Sequence, residues 1–490
     1  MLFLVPFVCA ALAQRGSGSP VAVPTATSFS LADAPVACTN IEICRTRYNI
    51  VWSSLVTILA CVWTAVHRNI PASMKARESR LRYFLARVFE IGMIVMVTLL
   101  VPEWILAWAL RQLLNARAWE RKRALLQGGK CRATERKTTE IGEPETIGSA
   151  ANMASEEFIL LDEVSPAVIG CHSEKKWDGE QPLAFEESKM VVDERAGRLS
   201  SSWTTRHGFF VVMGGFHFYD DGEPKHPLSP GDVVELVRSG DLVPPTEDEI
   251  RGWSQGDALS KALAVVQTLW FVVQCVSRHV EGLPITQLEV MTLAYAIITV
   301  AMYVAWWAKP QNVSGPVRIT VKYRSPDPEL LGQLEWYGRI LNLIVGAQDN
   351  IVDLRKQPCV PTFYGGSTIN DDNNVYGDII ALAIAMVFGA VHCAAWHYAF
   401  PSPTEQLIWR ISSVAAVAVP GELFFVLLAL WSTDSYRNRL RYISLSVFFS
   451  FCLYIVSRVL LLTLSFTTLR DLPYDAYKSV QWTLLIPHFT

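Results

Sequence analysis

Apolar residues in this chain come in long runs rather than in short alternating stretches. Seven segments, 49–67, 88–110, 259–277, 285–307, 378–400, 407–430 and 442–466, are about as long as the roughly 20 helical residues that cross a hydrocarbon core. Six read as plain spans. The segment 88–110 is different, because Pro102-Glu103 interrupts it and proline removes a backbone hydrogen bond that lipid cannot replace. The pattern predicts an all-α fold: a polytopic helical membrane bundle of six or seven spans, with a partly disordered loop section between them.

Basic residues turn the interrupted segment into a topology. Arg68, Lys75, Arg77, Arg80, Arg82 and Arg87 precede it, and Arg111, Arg117, Arg121, Lys122 and Arg123 follow it. Loops rich in Lys and Arg stay in the cytoplasm, so both flanks belong on one side and 88–110 is expected to be re-entrant. Lys309, Arg318, Lys322, Arg324 and the Arg437, Arg439, Arg441 group then face the cytoplasm, and the connections 278–284 and 401–406 face outside. Seven full spans are the alternative, which places 111–137 and the Arg437 group on the opposite side.

The other segments complete the organisation. Residues 1–13 end in Ala11-Leu12-Ala13, a small-x-small pattern read as a signal peptide, with a buried apolar N-terminus as the alternative. A lumenal or extracellular tail, 14–48, leads to the first span and broken segment, 49–110. A polar, largely disordered linker follows over 111–202, acidic and poor in aromatics from 131 to 200. A small ordered section, 203–258, contains an apolar, glycine-rich stretch from His207 to Phe216, read as a buried strand or a membrane-dipping loop. In the same section Thr246 and Glu249 form a capping box. A membrane hairpin (259–307), a loop section (308–377) with an amphipathic helix near 329–347, a three-span bundle (378–466) and an interfacial tail (467–490) close the chain. Such a protein is routed through the secretory pathway or to the plasma membrane.

Composition narrows the partners. At 51% hydrophobic and 11% aromatic, the chain has more apolar surface than one soluble core needs, so lipid is a partner. A net charge of −3 without a long basic block excludes nucleic acid, which requires cations against phosphates. Ten cysteines include no C-x-x-C pair; Cys61, Cys275 and Cys452 read as small hydrophobes, and Cys38 with Cys44 as a disulfide. No phosphate loop, HExxH or dinucleotide fingerprint is present, so no metal or cofactor is expected.

Particular motifs resemble a large family of fungal multi-pass integral membrane proteins. They are His207-Gly208-Phe209-Phe210 with Met213-Gly214-Gly215-Phe216, Gly256 to Lys261, Gln267 to Cys275, Gly282 to Glu289, Trp306-Trp307-Ala308-Lys309-Pro310 and Phe466 to Arg470. The resemblance covers roughly 38–110, 203–310 and 378–490. It implies the membrane architecture and no catalytic residues, since that family has no established molecular function.

Ionisable residues inside apolar runs mark the candidate site. Glu103, Glu422 and Arg458 each stand in such a run, where a charge costs at least about 2.5–3.5 kcal/mol. Pro102-Glu103 and Pro420-Gly421-Glu422 suggest two broken helices lining one polar cavity; the plainer reading is a carboxylate that satisfies freed N–H groups or pairs with Arg458. Glu422 is the expected partner of Arg458. His392 titrates within the bundle, but at i, i+5 from His397, about 140° around the helix, it cannot share a metal with it. Secondary candidates are His207, Asp257 and Glu289, the last two read first as helix caps. Gln267 and Gln274 read as glue between helices, and Asn312-Val313-Ser314 is a glycosylation sequon that the re-entrant topology leaves in the cytoplasm. Three functions fit: a polar intramembrane cavity handling a small molecule or ion, a membrane enzyme acting on a lipid or isoprenoid, and a non-catalytic scaffold.

Overall fold

A computed structural model describes residues 44–72, 79–139, 203–254, 258–321, 349, 352–366, 371–431 and 440–480. The expected signal peptide, Cys38, Asp257, the helix near 329–347, the Arg437 group and most of the acidic linker lie outside these residues. One unit comprises 1–120 with 203–490, and a second comprises 121–202, of which only the continuation of one helix is described.

The helices are α1 (Arg47–Ala65), α2 (Arg80–Leu100), α3 (Pro102–Thr139), α4 (Thr205–Val212), α5 (Pro230–Ser239), α6 (Glu247–Trp253), α7 (Ala258–Val280), α8 (Gln287–Ala305), α9 (Asp371–Cys393), α10 (Pro403–Trp431) and α11 (Leu440–Thr467). Seven of them, α1, α2 and α7 to α11, hold stretches long and apolar enough to cross a membrane. The chain is a multi-pass helical membrane protein. Large apolar side chains on α1, α2, α7 and α11, among them Trp52, Trp63, Phe89, Trp270 and Phe449, remain exposed, as lipid-facing surfaces require.

Hydrogen bonds show which helix ends lie together. At one end of the bundle Gln287 of α8 donates to the Ala399 carbonyl after α9 (2.9 Å), and Arg470 after α11 meets Glu405 of α10 (2.6 Å). Arg45, just before α1, donates to the Ala476 carbonyl (2.8 Å), and Cys44 bridges Lys478, so the two terminal segments pair there. At the other end Tyr303 of α8 donates to Thr64 of α1, and Ser254 exchanges hydrogen bonds with Gln311 (3.2 and 3.0 Å).

The segment 88–110 is two helices. Val101 leaves helical geometry (φ −139°, ψ 61°), and Pro102 opens α3. Proline cannot donate to the Thr98 carbonyl, but its fixed φ suits a first helical turn. Both limbs return to one loop: Thr362 donates to Glu90 of α2 (3.3 Å), while Trp108 and Gln112 of α3 donate to the Tyr364 carbonyl (2.9 Å each). Ten residues up each limb correspond to about 15 Å, half a hydrocarbon core. The tip touches Tyr295 and Arg458, each midway along its helix.

The second proline behaves otherwise. Helix α10 continues through Pro420 to Trp431, so the expected break does not occur. Pro420 leaves the Ala416 carbonyl without its i+4 donor, and that oxygen lies against Gly389 of α9, so closely that a Cβ there would stand 2.5 Å from it. Close packing covers the freed carbonyl.

Outside the bundle, α4 to α6 surround a three-stranded sheet in the order β2 (Glu223–Pro227), β1 (Phe216–Asp220), β3 (Val317–Ile319), antiparallel then parallel. Its core joins Phe210, Phe216, Val233, Leu236, Ile250 and Ile319 with Ile70. The stretch from His207 is therefore neither a strand nor a membrane loop at its start. It is helix α4, turning through Gly214 (φ 89°) into β1. The Thr246–Glu249 capping box forms as expected.

Candidate functional site

The hairpin tip joins two helix ends of opposite polarity. The C-terminal carbonyls of α2 carry negative charge, and Arg458 of α11 reaches them, donating to Leu100 (3.2 Å) and Leu99 (3.4 Å); Tyr295 of α8 also donates to Leu99. Glu103 occupies the first turn of α3, where the dipole favours a carboxylate. The guanidinium lies over the Phe388 ring (4.3 Å) and also donates to the Tyr295 hydroxyl (3.0 Å).

His392 completes the cluster. Its Nδ1 meets the Phe388 carbonyl (2.9 Å) and its Nε2 faces Arg458 Nη1 (3.3 Å). Arginine only donates, so Nε2 accepts and Nδ1 carries the proton, a neutral ring. Glu103 lies within electrostatic reach of Arg458, and the Tyr454 hydroxyl is its neighbour. Apart from this mutual contact, Glu103 Oε2 and Tyr454 Oη are buried without a hydrogen-bond partner among the described residues.

Glu422 is not part of this cluster. It accepts from Ser446 (2.9 Å) and Ser450 (2.6 Å) of α11, two to three turns and about 12–18 Å along that helix from Arg458. The expected Glu422–Arg458 pair is therefore absent, as is a site shared by Glu103 and Glu422. Two hydroxyls satisfy the half-buried carboxylate, and unbroken α10 gives it no reason to turn inward.

The secondary candidates have local roles. Glu289 accepts from the Thr286 backbone (2.8 Å) and hydroxyl (2.9 Å), the cap expected, and also takes a two-pronged ion pair from Arg45. His207 Nδ1 accepts from the Thr204 N–H (3.1 Å), which leaves Nε2 to donate to Pro245 (2.9 Å); burial pushes this imidazole below its ordinary value. Gln267 does bridge helices, donating to Thr57 of α1 (3.2 Å). Cys44 is disulfide-bonded, with its expected partner outside the described residues.

Lys309 and Arg111 are buried charge centres that the sequence reading does not mark as sites. Lys309, 2% exposed, donates to the carbonyl of His67, to Gln112 Oε1 (2.7 Å) and to Asn69 Oδ1 (3.2 Å), and lies over Trp108 (4.8 Å) and Trp306 (4.9 Å). Burial among neutral groups pushes its amine well below the lysine range. Arg111 pairs with Asp378 of α9 at 2.6 Å, both buried. Both cations had been read as topological signals; only the neighbouring Trp306-Trp307 hinted at a box around Lys309.

Two cavities bounded by described residues lie where the hairpin limbs return. One of about 350 Å³ is lined by Arg68, Asn69, Arg87, Asn312 and Ser314 among others. Another of about 640 Å³ adjoins it along α2 and the 358–362 loop. A family model described as a family of unknown function (DUF8562) matches residues 22–151 and 178–330, more than half of the chain. No curated protein and no solved structure matches. The matched stretches include Glu103 and every residue around Lys309, whereas Asp378, His392, Glu422 and Arg458 lie beyond them.

Proposed function

The chain belongs to the DUF8562 family, and we propose that it crosses the membrane six times and handles a proton or small ion at the tip of a re-entrant hairpin, α2–α3. The orientation rests on two features: Arg68, Arg80, Arg82, Arg87, Arg111 and Arg117 cluster at the end where the hairpin limbs return, and disulfide-bonded Cys44 lies at the other. One observation carries the functional reading. Glu103 and Tyr454 are buried at mid-bundle depth with their side chains interacting with each other, and Glu103 Oε2 and Tyr454 Oη have no other hydrogen-bond partner among the described residues; a buried carboxyl–phenol pair with no further partner is a place for an exchanging proton, an ion or a water. The cluster is closely packed, so the passage of a larger solute requires the hairpin to move.

Proteoliposomes holding the full-length protein and an entrapped pH dye, energised by a potassium diffusion potential, test this reading. Proton flux should exceed that of empty vesicles and fall to their level in Glu103→Gln, which keeps size and hydrogen bonding. Equal flux in a monodisperse Glu103→Gln preparation assigns Glu103 to the helix dipole alone. No flux from the wild type overturns the reading.

A further inference from the structure

The smaller cavity points to an anion. Arg68 and Arg87 both line it, with Asn69, Asn312 and Ser314 adding polar groups, and no acidic residue is among its lining. Arg87 is shared with Glu90 of α2 (2.9 Å). Arg68 lies within electrostatic reach of the same Glu90 but forms no ion pair with it among the described residues, and its Nη1 is buried without a hydrogen-bond partner among them. Two guanidinium groups facing one space repel each other, and burial together with Arg87 holds Arg68 below the usual arginine range. A protein does not hold an unpaired guanidinium edge in a recess without cost, because an unsatisfied charged donor loses hydration with nothing in return. An anion between the two restores the balance.

The surroundings specify its chemistry. Guanidinium forks match the oxygens of a phosphate, and the side-chain amides of Asn69 and Asn312 can donate to the same oxygens. The adjoining larger cavity runs along α2 past Arg82, Tyr83, Ala86 and Pro361, and its one acidic lining residue among those described, Glu90, is engaged by Arg87 and Thr362. Next to it Leu81, Phe84, Leu85, Val88 and Phe89 of α2 are exposed, which is where acyl chains would lie. We propose that Arg68 and Arg87 bind a phosphate group at the membrane surface, and that the larger cavity and the apolar face of α2 favour a phospholipid monoester as its bearer. The site is independent of the chemistry at the hairpin tip, so an inactive tip leaves it standing.

Native mass spectrometry of the full-length protein in detergent, with dioleoyl phosphatidate or dioleoyl phosphatidylcholine added, tests it, beside a thermal-shift series with inorganic phosphate. Phosphatidate should be retained by the wild type and phosphatidylcholine should not. Arg68→Gln and Arg87→Gln should each weaken retention roughly tenfold or more, as expected for loss of one charge-assisted fork, while Arg251→Gln on the exposed face of α6 should not. A thermal shift with inorganic phosphate, lost in Arg68→Gln and unaccompanied by lipid retention, keeps the phosphate site and assigns it a soluble ligand. Arg68 Nη1 has no hydrogen-bond partner among the described residues, and the charge it loses in Arg68→Gln relieves its repulsion with Arg87 while Glu90 keeps Arg87, so this variant should fold about as well as the wild type. The proposal fails if the wild type responds to neither phosphate source, or if Arg251→Gln weakens binding as much as Arg68→Gln.

Discussion

Gln112 is the hub that makes buried Lys309 tolerable, and removing it should cost more than removing the lysine itself. Gln112 Nε2 donates to Asn69 (3.0 Å) and to the Tyr364 carbonyl (2.9 Å), and its Oε1 receives Trp306 (3.1 Å) and Lys309 (2.7 Å). Gln112→Leu takes from the ammonium its shorter side-chain contact and strips the Trp306 indole of its acceptor. Loss of a hydrogen bond to a buried charge together with an orphaned indole N–H costs about 3–5 kcal/mol. In Lys309→Met, by contrast, Gln112 keeps Trp306 and Asn69 keeps Gln112. Its cost of about 1–3 kcal/mol for lost hydrogen bonds is offset by no longer desolvating a cation. The double variant should therefore melt above Gln112→Leu in detergent, even though it carries one change more. A double variant that melts at or below Gln112→Leu refutes the account. The pH dependence supplies a second check. An amine whose folded pKa lies below its unfolded value of about 10.4 binds protons more weakly when folded, so stability rises with pH toward that value. The wild type should gain melting temperature as pH rises towards about 10, and Lys309→Met should gain less.

Other outcomes follow from single contacts. Gly389→Ala should lower the monodisperse yield, because its Cβ would meet the Ala416 carbonyl at 2.5 Å, whereas Gly421→Ala, whose nearest neighbour is the Met386 methyl at 3.6 Å, should be tolerated. His217 of β1 is fully buried, and burial depresses its pKa to about 4. Below about pH 6.5 the unfolded chain binds the proton first, so stability should fall as pH drops from there towards 4, and His217→Leu should flatten that slope in melting curves. Glycosylation acceptors introduced within 140–200, and the native sequon at Asn312, should stay unmodified in microsomes, while an acceptor ahead of Arg47 is modified; the reverse result supports seven spans.

The candidate site was only half legible in the chain. Pro102-Glu103 pointed to a real break because the positive charge on both sides made a crossing unfavourable, and those are one-dimensional facts. Pro420-Glu422 carried the same local signature yet left α10 intact, because Gly389, on another helix, lets α9 press against the carbonyl that Pro420 abandons. The partner of Arg458 was misjudged for a similar reason. Proximity in sequence favours Glu422, but the acceptors that Arg458 reaches include the backbone carbonyls of Leu99 and Leu100, which a sequence does not display as charge, and the carboxyl within its electrostatic reach is that of Glu103.

By itself, then, the sequence determined the seven apolar stretches, the capping boxes at Thr246 and Thr286 and the helix break at Pro102, although α2 begins at Arg80, ahead of the expected 88. These depend on residue type and spacing along one helix or turn. The tertiary structure alone decided that Lys309 sits in a box of two indoles and three oxygens, that Arg111 finds Asp378 more than 260 residues away, and that Arg68 faces Arg87 across a cavity. Each of these depends on which helix faces meet, and for a buried charge that meeting sets the energy, because desolvation is large and only a neighbour brought in by the fold can offset it.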